Sequence, residues 1–196
     1  MKGRSSRRAG LALIAVGAVV AGCGGGERQD ANEPSGTFNV DVVNAKFPKK
    51  QRLAKQEQLV LEVKNSGQHS VPNVAVTIDP GFTTREDRQD LADANRPIWI
   101  VDAGPQGGTT AYTNTWALGA LPPGKTARFV WRVTAVRAGS YDVHYRVAAG
   151  LNGKAKAQSP NGNVPEGSFS VNVSGKPAQA TVDPATGDVV RDDSGQ

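Results

Sequence analysis

The chain has 196 residues, which is enough for one domain with tails. Its formal charge of +5 is concentrated at the start, where residues 2–8 hold four of the 23 Lys and Arg and none of the 18 Asp and Glu. Subtracting those four leaves 19 basic against 18 acidic residues, so we expect no nucleic-acid partner. The single cysteine, Cys23, cannot form a disulfide within the chain, and the fold must depend on its core.

Residues 1–22 have the pattern of an export signal. A basic start precedes the apolar run Ala9–Val20, which is shorter than the roughly 20 residues that span a bilayer, so a cleaved signal is favoured over a transmembrane anchor. The next residues, Val20–Cys23 (VAGC), resemble the lipobox of bacterial lipoproteins. This resemblance implies that Cys23 is lipidated and that the exported protein is anchored to the membrane, facing the extracytoplasmic side. The alternative is an ordinary signal peptide with a chance cysteine.

Residues 23–36 join this anchor to the rest of the chain. After Cys23 the segment is rich in Gly and polar residues and has no hydrophobic periodicity. Such a composition predicts a flexible tether.

From Thr37 onward, apolar and polar residues alternate with a period of two, the pattern of half-buried strands. The clearest alternating segments are 38–43, 59–64, 74–78, 128–133, 141–147 and 169–173, with shorter candidates at 98–101 and 112–118. About seven or eight short strands without an amphipathic helix between them predict an all-β antiparallel β-sandwich over residues 37–174. An up-and-down barrel is the alternative. The sequence Pro122–Lys125 (PPGK) predicts a tight turn into the strand that follows.

Two segments interrupt or follow this pattern. Residues 79–108 break the alternation and are predicted to be an insertion, with a short helix within 85–94. Long loops on a rigid scaffold often carry function, so the insertion is the favoured place for a site. Residues 175–196 form a polar tail, which we expect to be either a small hairpin or disordered.

Two stretches resemble bacterial surface domains of the immunoglobulin-like type, in particular CARDB-like and related conserved-repeat domains. The first is Leu59–Gly67, a strand that ends in an Asn65-Ser66-Gly67 turn, followed by the next strand at Val71–Ile78. The second is Leu118–Val133, in which Leu-Pro-Pro-Gly leads into a strand. The resemblance implies an immunoglobulin-like sandwich and a role in adhesion, scaffolding or display. It carries over no catalytic residues.

Catalytic and cofactor chemistry finds little support in the sequence. A blue-copper site needs two His, a Cys and usually a Met, whereas only His69 and His144 are present and Cys23 is assigned to lipid. No Gly-x-Ser-x-Gly motif accompanies the histidines, and His144 is predicted to be an ordinary surface residue. We therefore expect no enzyme and no cofactor.

Three groups of residues could bind a partner. Asp79, Asp87 and Asp90 are weak calcium candidates in the insertion, although an EF-hand spacing is absent and a solvated acidic loop is favoured. Trp99, Tyr112 and Trp116 could line a groove for a glycan or a peptide. A basic cluster could face an anionic membrane near the tether or simply keep a strand edge soluble; its members are Lys46, Lys49, Lys50, Arg52 and Lys55.

The sequence thus predicts a non-enzymatic cell-envelope lipoprotein, a tethered scaffold or protein-binding module with an envelope protein or cell-wall partner. The alternative is a lipoprotein that captures a cell-wall glycan or small molecule at residues 79–108, with or without calcium.

Overall fold

The protein is described from a computed structural model, which covers residues 30–84 and 97–191. Within these ranges every regular element is a β-strand, and no helix is long and apolar enough to cross a membrane. Cys23, Asp87, Asp90 and the predicted helix lie outside the described residues. The strands are β1 Gly36–Lys46, β2 Lys50–Leu53, β3 Gln56–Asn65, β4 Ala75–Asp79, β5 Phe82–Thr84, β6 Trp99–Ala103, β7 Thr109–Tyr112, β8 Thr115–Ala117, β9 Thr126–Ala135, β10 Gly139–Ala148, β11 Ala155–Gln158, β12 Glu166–Pro177, β13 Ala180–Val182 and β14 Val189–Arg191.

The sequence alternation produces the core directly, because successive side chains of a strand point to opposite faces. In β9, Phe129, Trp131 and Val133 are buried while the residues between them are exposed or half-buried. In β10, Val143 and Val147 are buried in the same alternating manner. The two inner faces therefore meet in one apolar core between the sheets.

Residues 30–84 and 97–191 form two six-stranded sheets. The first has the order β11-β1-β3-β9-β6-β5 and the second the order β2-β12-β10-β4-β8-β7. Their central strands follow the A-B-E-D and C-F-G orders of the immunoglobulin fold, with β1-β3-β9-β6 in one sheet and β4-β10-β12 in the other. At the start of β10, Tyr141 donates a 2.6 Å hydrogen bond to the carbonyl of Ala138, the arrangement of a tyrosine corner. The predicted all-β, immunoglobulin-like sandwich is confirmed.

The sheets contain more strands than the seven or eight predicted, and three of their pairings are parallel. β11 pairs with β1, β2 with β12 and β5 with β6 in parallel. Each added strand has only three or four residues, too few for an alternating pattern to stand out. Their pairing is set by where the chain crosses from one sheet to the other, which a local pattern does not record.

The turn before β9 has the predicted form. The N–H of Lys125 donates to the carbonyl of Pro122 at 3.2 Å, and Gly124 has a φ of 72°, a conformation that favours glycine. The turn also pairs with the end of β3, because Asn65 donates to the Lys125 carbonyl and receives the N–H of Gly124, both at 2.9 Å. The turn therefore organises the fold.

Within the described part of the tail, residues 180–191 form a small hairpin, one of its two predicted forms. β12 continues to Pro177, and β13 and β14 then pair as an antiparallel hairpin, with Ala180 opposite Arg191. This hairpin belongs to neither large sheet.

Candidate functional site

The three aromatic residues predicted to line a groove do not share an exposed surface. Trp99 is 0% exposed and Trp116 is 4% exposed, whereas Tyr112 is 47% exposed. The ring centroids of Trp99 and Phe47 are 5.4 Å apart, and those of Trp116 and Trp131 are 5.5 Å apart. Both tryptophans are core residues, so the structure does not form the aromatic surface predicted for glycan binding.

Of the three acidic candidates for calcium, only Asp79 lies within the described residues. Asp79 is exposed at the end of β4. Across residues 30–84 and 97–191, no three His, Cys, Asp or Glu side chains are placed to hold one metal ion.

The outer face of the second sheet carries a polar groove that the sequence did not predict. His144 on β10 lies opposite Asp79 on β4 and opposite Ser168 on β12. In the next row Arg146 lies between Thr77 and Glu166, and its Nε is 3.1 Å from Glu166 Oε2. A concavity of about 580 Å³ is lined by these six residues together with Tyr145 and Gly167.

The row of Asp79, His144 and Ser168 has the residue types of a hydrolytic triad but not its hydrogen bonds. A triad needs its nucleophile bonded to the base and the base bonded to the carboxylate, and no hydrogen bond joins these three side chains. All three side chains are exposed on the outer face of the sheet. This row is suited to hydrogen bonding with a bound surface.

A second groove, of about 630 Å³, lies beside the first, between β1 and the start of β12. Tyr145 and Glu166 line both grooves. The Tyr145 hydroxyl lies against Gly167, where an added Cβ would approach it to 2.5 Å, so the glycine makes room for the ring. Burial raises the pKa of the Tyr145 hydroxyl, which keeps it a neutral donor and acceptor.

The N-terminal segment before β1 is fastened to the domain at the β10–β11 loop. Glu33 Oε2 accepts hydrogen bonds from the N–H of Leu151 and, at 2.9 Å, from that of Asn152, while its Oε1 accepts the N–H of Ala155 at 2.7 Å. Burial pushes the pKa of Glu33 upward, but the backbone N–H donors of this loop outweigh burial and hold the pKa below 4.5.

Asp30 extends this clasp, which we define as residues 30–36 held on loop 150–155. Its carbonyl accepts the side-chain amide of Asn152 at 2.8 Å, and its carboxylate accepts the hydroxyl of Tyr112 at 3.0 Å. A flexible tether was predicted for residues 23–36, but Asp30 and Glu33 within that range are held on the domain by these hydrogen bonds. The same contact gives Tyr112 a structural role.

The clasp and the basic cluster lie at opposite ends of the sandwich. β1 starts beside loop 150–155, where Gly36 pairs with Ala155, and ends at Lys46. Its 11 residues span about 35 Å at the usual rise of a strand. The basic cluster is therefore far from the point where the N-terminal segment joins the domain, and the prediction that it lies near the tether is wrong.

Comparisons with known proteins give likenesses in fold. The chain is similar to a CARDB domain from Pyrococcus furiosus over 69% of its own length and 93% of that chain, with 19% identity and a TM-score of 0.42. It is similar to Salmonella alpha-2-macroglobulin over 72% of its own length and 7% of that chain, with 14% identity and a TM-score of 0.41. It is similar to beta-glucosidase from Listeria innocua over 71% of its own length and 16% of that chain, with 14% identity and a TM-score of 0.35. No family model and no curated protein matches the chain. The fold assignment itself depends on the strand orders given above.

Proposed function

We propose that this protein is a non-enzymatic envelope lipoprotein whose immunoglobulin-like domain binds another protein and serves as a scaffold. The observation that carries the proposal is the pair of adjoining grooves on the β4–β10–β12 side of the domain. Their shared residues, Tyr145 and Glu166, join a polar sheet face to a strand edge. Such a surface offers many hydrogen-bonding groups at fixed spacing on a rigid sheet, which suits recognition of a protein surface.

Two features support the membrane-tethered part of the proposal. The sequence before Cys23 resembles a lipobox, and the clasp fixes the chain to the domain from Asp30 onward. Only seven peptide steps separate Cys23 from Asp30, a distance of at most about 25 Å. A lipid on Cys23 would hold the domain close to the membrane, with the clasp end towards it.

The anchor and the binding surface are tested separately. Metabolic labelling with an azido fatty acid should label the wild-type protein and leave Cys23→Ala unlabelled; absence of label on both would overturn the anchor. For the surface, a photo-crosslinking amino acid is placed at His144 on the grooved face or at Arg132, which is exposed on the other sheet. In native membranes we expect one protein adduct from position 144 only. Equal adducts from both positions, or none from either, would contradict the proposal.

A further inference from the structure

One edge of β12 is only half covered by a neighbouring strand. β2 pairs with β12 in parallel from Asn172 to Pro177. On the same side, residues 166–171 pair with no strand in the described part of the chain. The second sheet therefore has a six-residue open edge that continues directly from an occupied one.

The hydrogen-bonding direction along this edge follows from two flanking contacts. The N–H of Val147 donates to the carbonyl of Pro165 at 2.9 Å, and the N–H of Asn172 donates to the carbonyl of Lys49, on β2's side, at 2.8 Å. Because donors and acceptors alternate between the two sides of a strand, the intervening even-numbered residues direct their N–H and C=O groups away from β10. These residues are Glu166, Ser168 and Ser170.

This open edge lacks the features that usually prevent strand addition. Proteins protect edges with bulges, prolines or inward charges. The neighbouring β1 has a bulge between Val42 and Asn44, whereas β12 keeps an uninterrupted register from Glu166 to Val173. The edge is regular, and β2 demonstrates that the adjoining part of it accepts a parallel strand.

The groove beside the edge indicates the chemistry of an occupant. Its apolar lining comes from Val42, Val164 and Pro165, and its charged lining from Asp41 and Glu166. One wall is the loop before β12, closed on itself by hydrogen bonds from Ser159 N–H and Oγ to the Asn163 carbonyl, both at 2.8 Å. Glu166 is already paired with Arg146, so Asp41 is the carboxylate of this groove that favours a cationic segment with alternating apolar side chains.

We propose that residues 166–171 of β12 bind an extended basic peptide segment of a partner protein, which adds a strand to the second sheet. The inference deepens the proposed function and rests on it, because it names the partner chemistry of the same grooved side. Main-chain hydrogen bonds to Glu166, Ser168 and Ser170 give affinity, which is the general mode of β-augmentation, and the Asp41 carboxylate selects for Lys or Arg. A single chain is favoured over a second copy, because residues of β1 and of the 159–163 loop line the groove beside the edge.

The test uses the full chain and a synthetic peptide of alternating Lys and Val, six residues long. We expect the N–H groups of Ser168 and Ser170 to exchange rapidly with solvent in the free protein and to become protected when the peptide is added. The acidic counterpart with Glu in place of Lys, and a Lys-Val peptide N-methylated at alternate residues, should each bind at least about tenfold more weakly, which corresponds to about 1.4 kcal/mol.

Two variants separate the backbone from the charge contribution. Ser168→Pro removes one outward N–H without removing a bond to β10, and should weaken peptide binding about fivefold to tenfold. Asp41→Lys leaves the edge intact and should weaken binding through charge, whereas the matched change Asp188→Lys in the tail hairpin should not. A folded Asp41→Lys variant keeps the proposal testable if Ser168→Pro is unstable.

Three results would overturn the inference. They are equal binding of the N-methylated peptide, protection located away from Ser168 and Ser170, and protection that appears without peptide as protein concentration rises, which would mean pairing with a second copy. If the crosslink from position 144 persists in Ser168→Pro and Asp41→Lys, the protein-binding function stands and the strand-addition inference fails. If that crosslink is absent in wild type, the proposed function itself fails.

Discussion

The indole N–H of Trp99 donates a 2.7 Å hydrogen bond to the side-chain oxygen of Gln51, deep between the two sheets. Trp99 belongs to β6 of the first sheet and Gln51 to β2 of the second. The Gln51 amide in turn donates to the carbonyl of Pro48 at 3.0 Å. This chain of bonds connects the sheets and holds the short β2 strand in place, which explains why a large aromatic residue within the segment predicted to be an insertion is buried.

Replacing Gln51 should therefore destabilise the fold even though glutamine is usually a surface residue. Gln51→Met keeps the volume but leaves the buried indole N–H without its acceptor, a cost of about 1–3 kcal/mol in the free energy of unfolding. Urea denaturation measures the change. Gln58→Met, at an exposed position of β3, is the control and should change stability by less than about 0.5 kcal/mol. Equal stability of both variants would contradict the role assigned to Gln51.

The two central tryptophans should respond differently to the same substitution. Trp131 Nε1 is buried without a hydrogen-bond partner among the described residues, whereas Trp99 Nε1 is paired. Trp99→Phe leaves Gln51 unsatisfied, while Trp131→Phe removes an unsatisfied donor. We expect Trp99→Phe to be the more destabilising by about 1–3 kcal/mol in urea denaturation. The opposite order would show that loss of packing volume, rather than hydrogen bonding, decides the outcome.

Asn65 should be the most sensitive polar residue of the end of the sandwich that holds the Pro122–Lys125 turn. It is 1% exposed; its amide donates to the carbonyls of Leu121 at 2.8 Å and His69 at 2.9 Å, and its side-chain oxygen accepts the N–H of Gly67 at 2.9 Å. Asn65→Ala leaves three backbone groups without these hydrogen bonds, of which the one to the Leu121 carbonyl is buried, and should lower the unfolding free energy by about 1–3 kcal/mol, judged by thermal and urea denaturation. Gln68→Ala, on the exposed part of the same loop, should be nearly neutral. An Asn65→Ala variant as stable as wild type would show that this network is dispensable.

The clasp should weaken in acid. The folded-state pKa of Glu33 lies below its ordinary value of 4.5, so its carboxylate stabilises the clasp above about pH 4.5, and this contribution is lost as the pH falls through the folded pKa. Glu33→Gln should speed amide exchange of Leu151, Asn152 and Ala155 at pH 7 and reduce stability by about 1–2 kcal/mol. The difference from wild type should shrink towards pH 3.

Two further variants check the clasp. Glu62→Gln, which alters an exposed ion pair with Arg128, should leave exchange in loop 150–155 unchanged. Gly150→Ala should loosen the clasp as Glu33→Gln does, because a side chain there would overlap the Glu33 carboxylate. A Glu33→Gln effect that persists unchanged at pH 3 would argue against a carboxylate-dependent clasp.

The sequence was most informative where one residue's environment follows from its neighbours along the strand. Alternation placed Phe129, Trp131 and Val133 in the core, and turn chemistry identified Pro122–Lys125, since period and φ preference are local properties. The sequence did not show that Trp99 and Trp116 are buried, because their strands are too short for alternation to reveal a buried face.

By itself, then, the sequence determined the all-β class, the core faces of the long strands and the turn that leads into β9. Only the tertiary structure decided which distant residues lie together. It placed His144 opposite Asp79 and Ser168 and bonded Glu33 to loop 150–155. It also left half of the β12 edge open beside Tyr145. These relationships join residues up to 122 positions apart, as in the bond from Ala155 to Glu33. Register and sheet order create such contacts, and both are set by packing of the whole core rather than by any short run of residues.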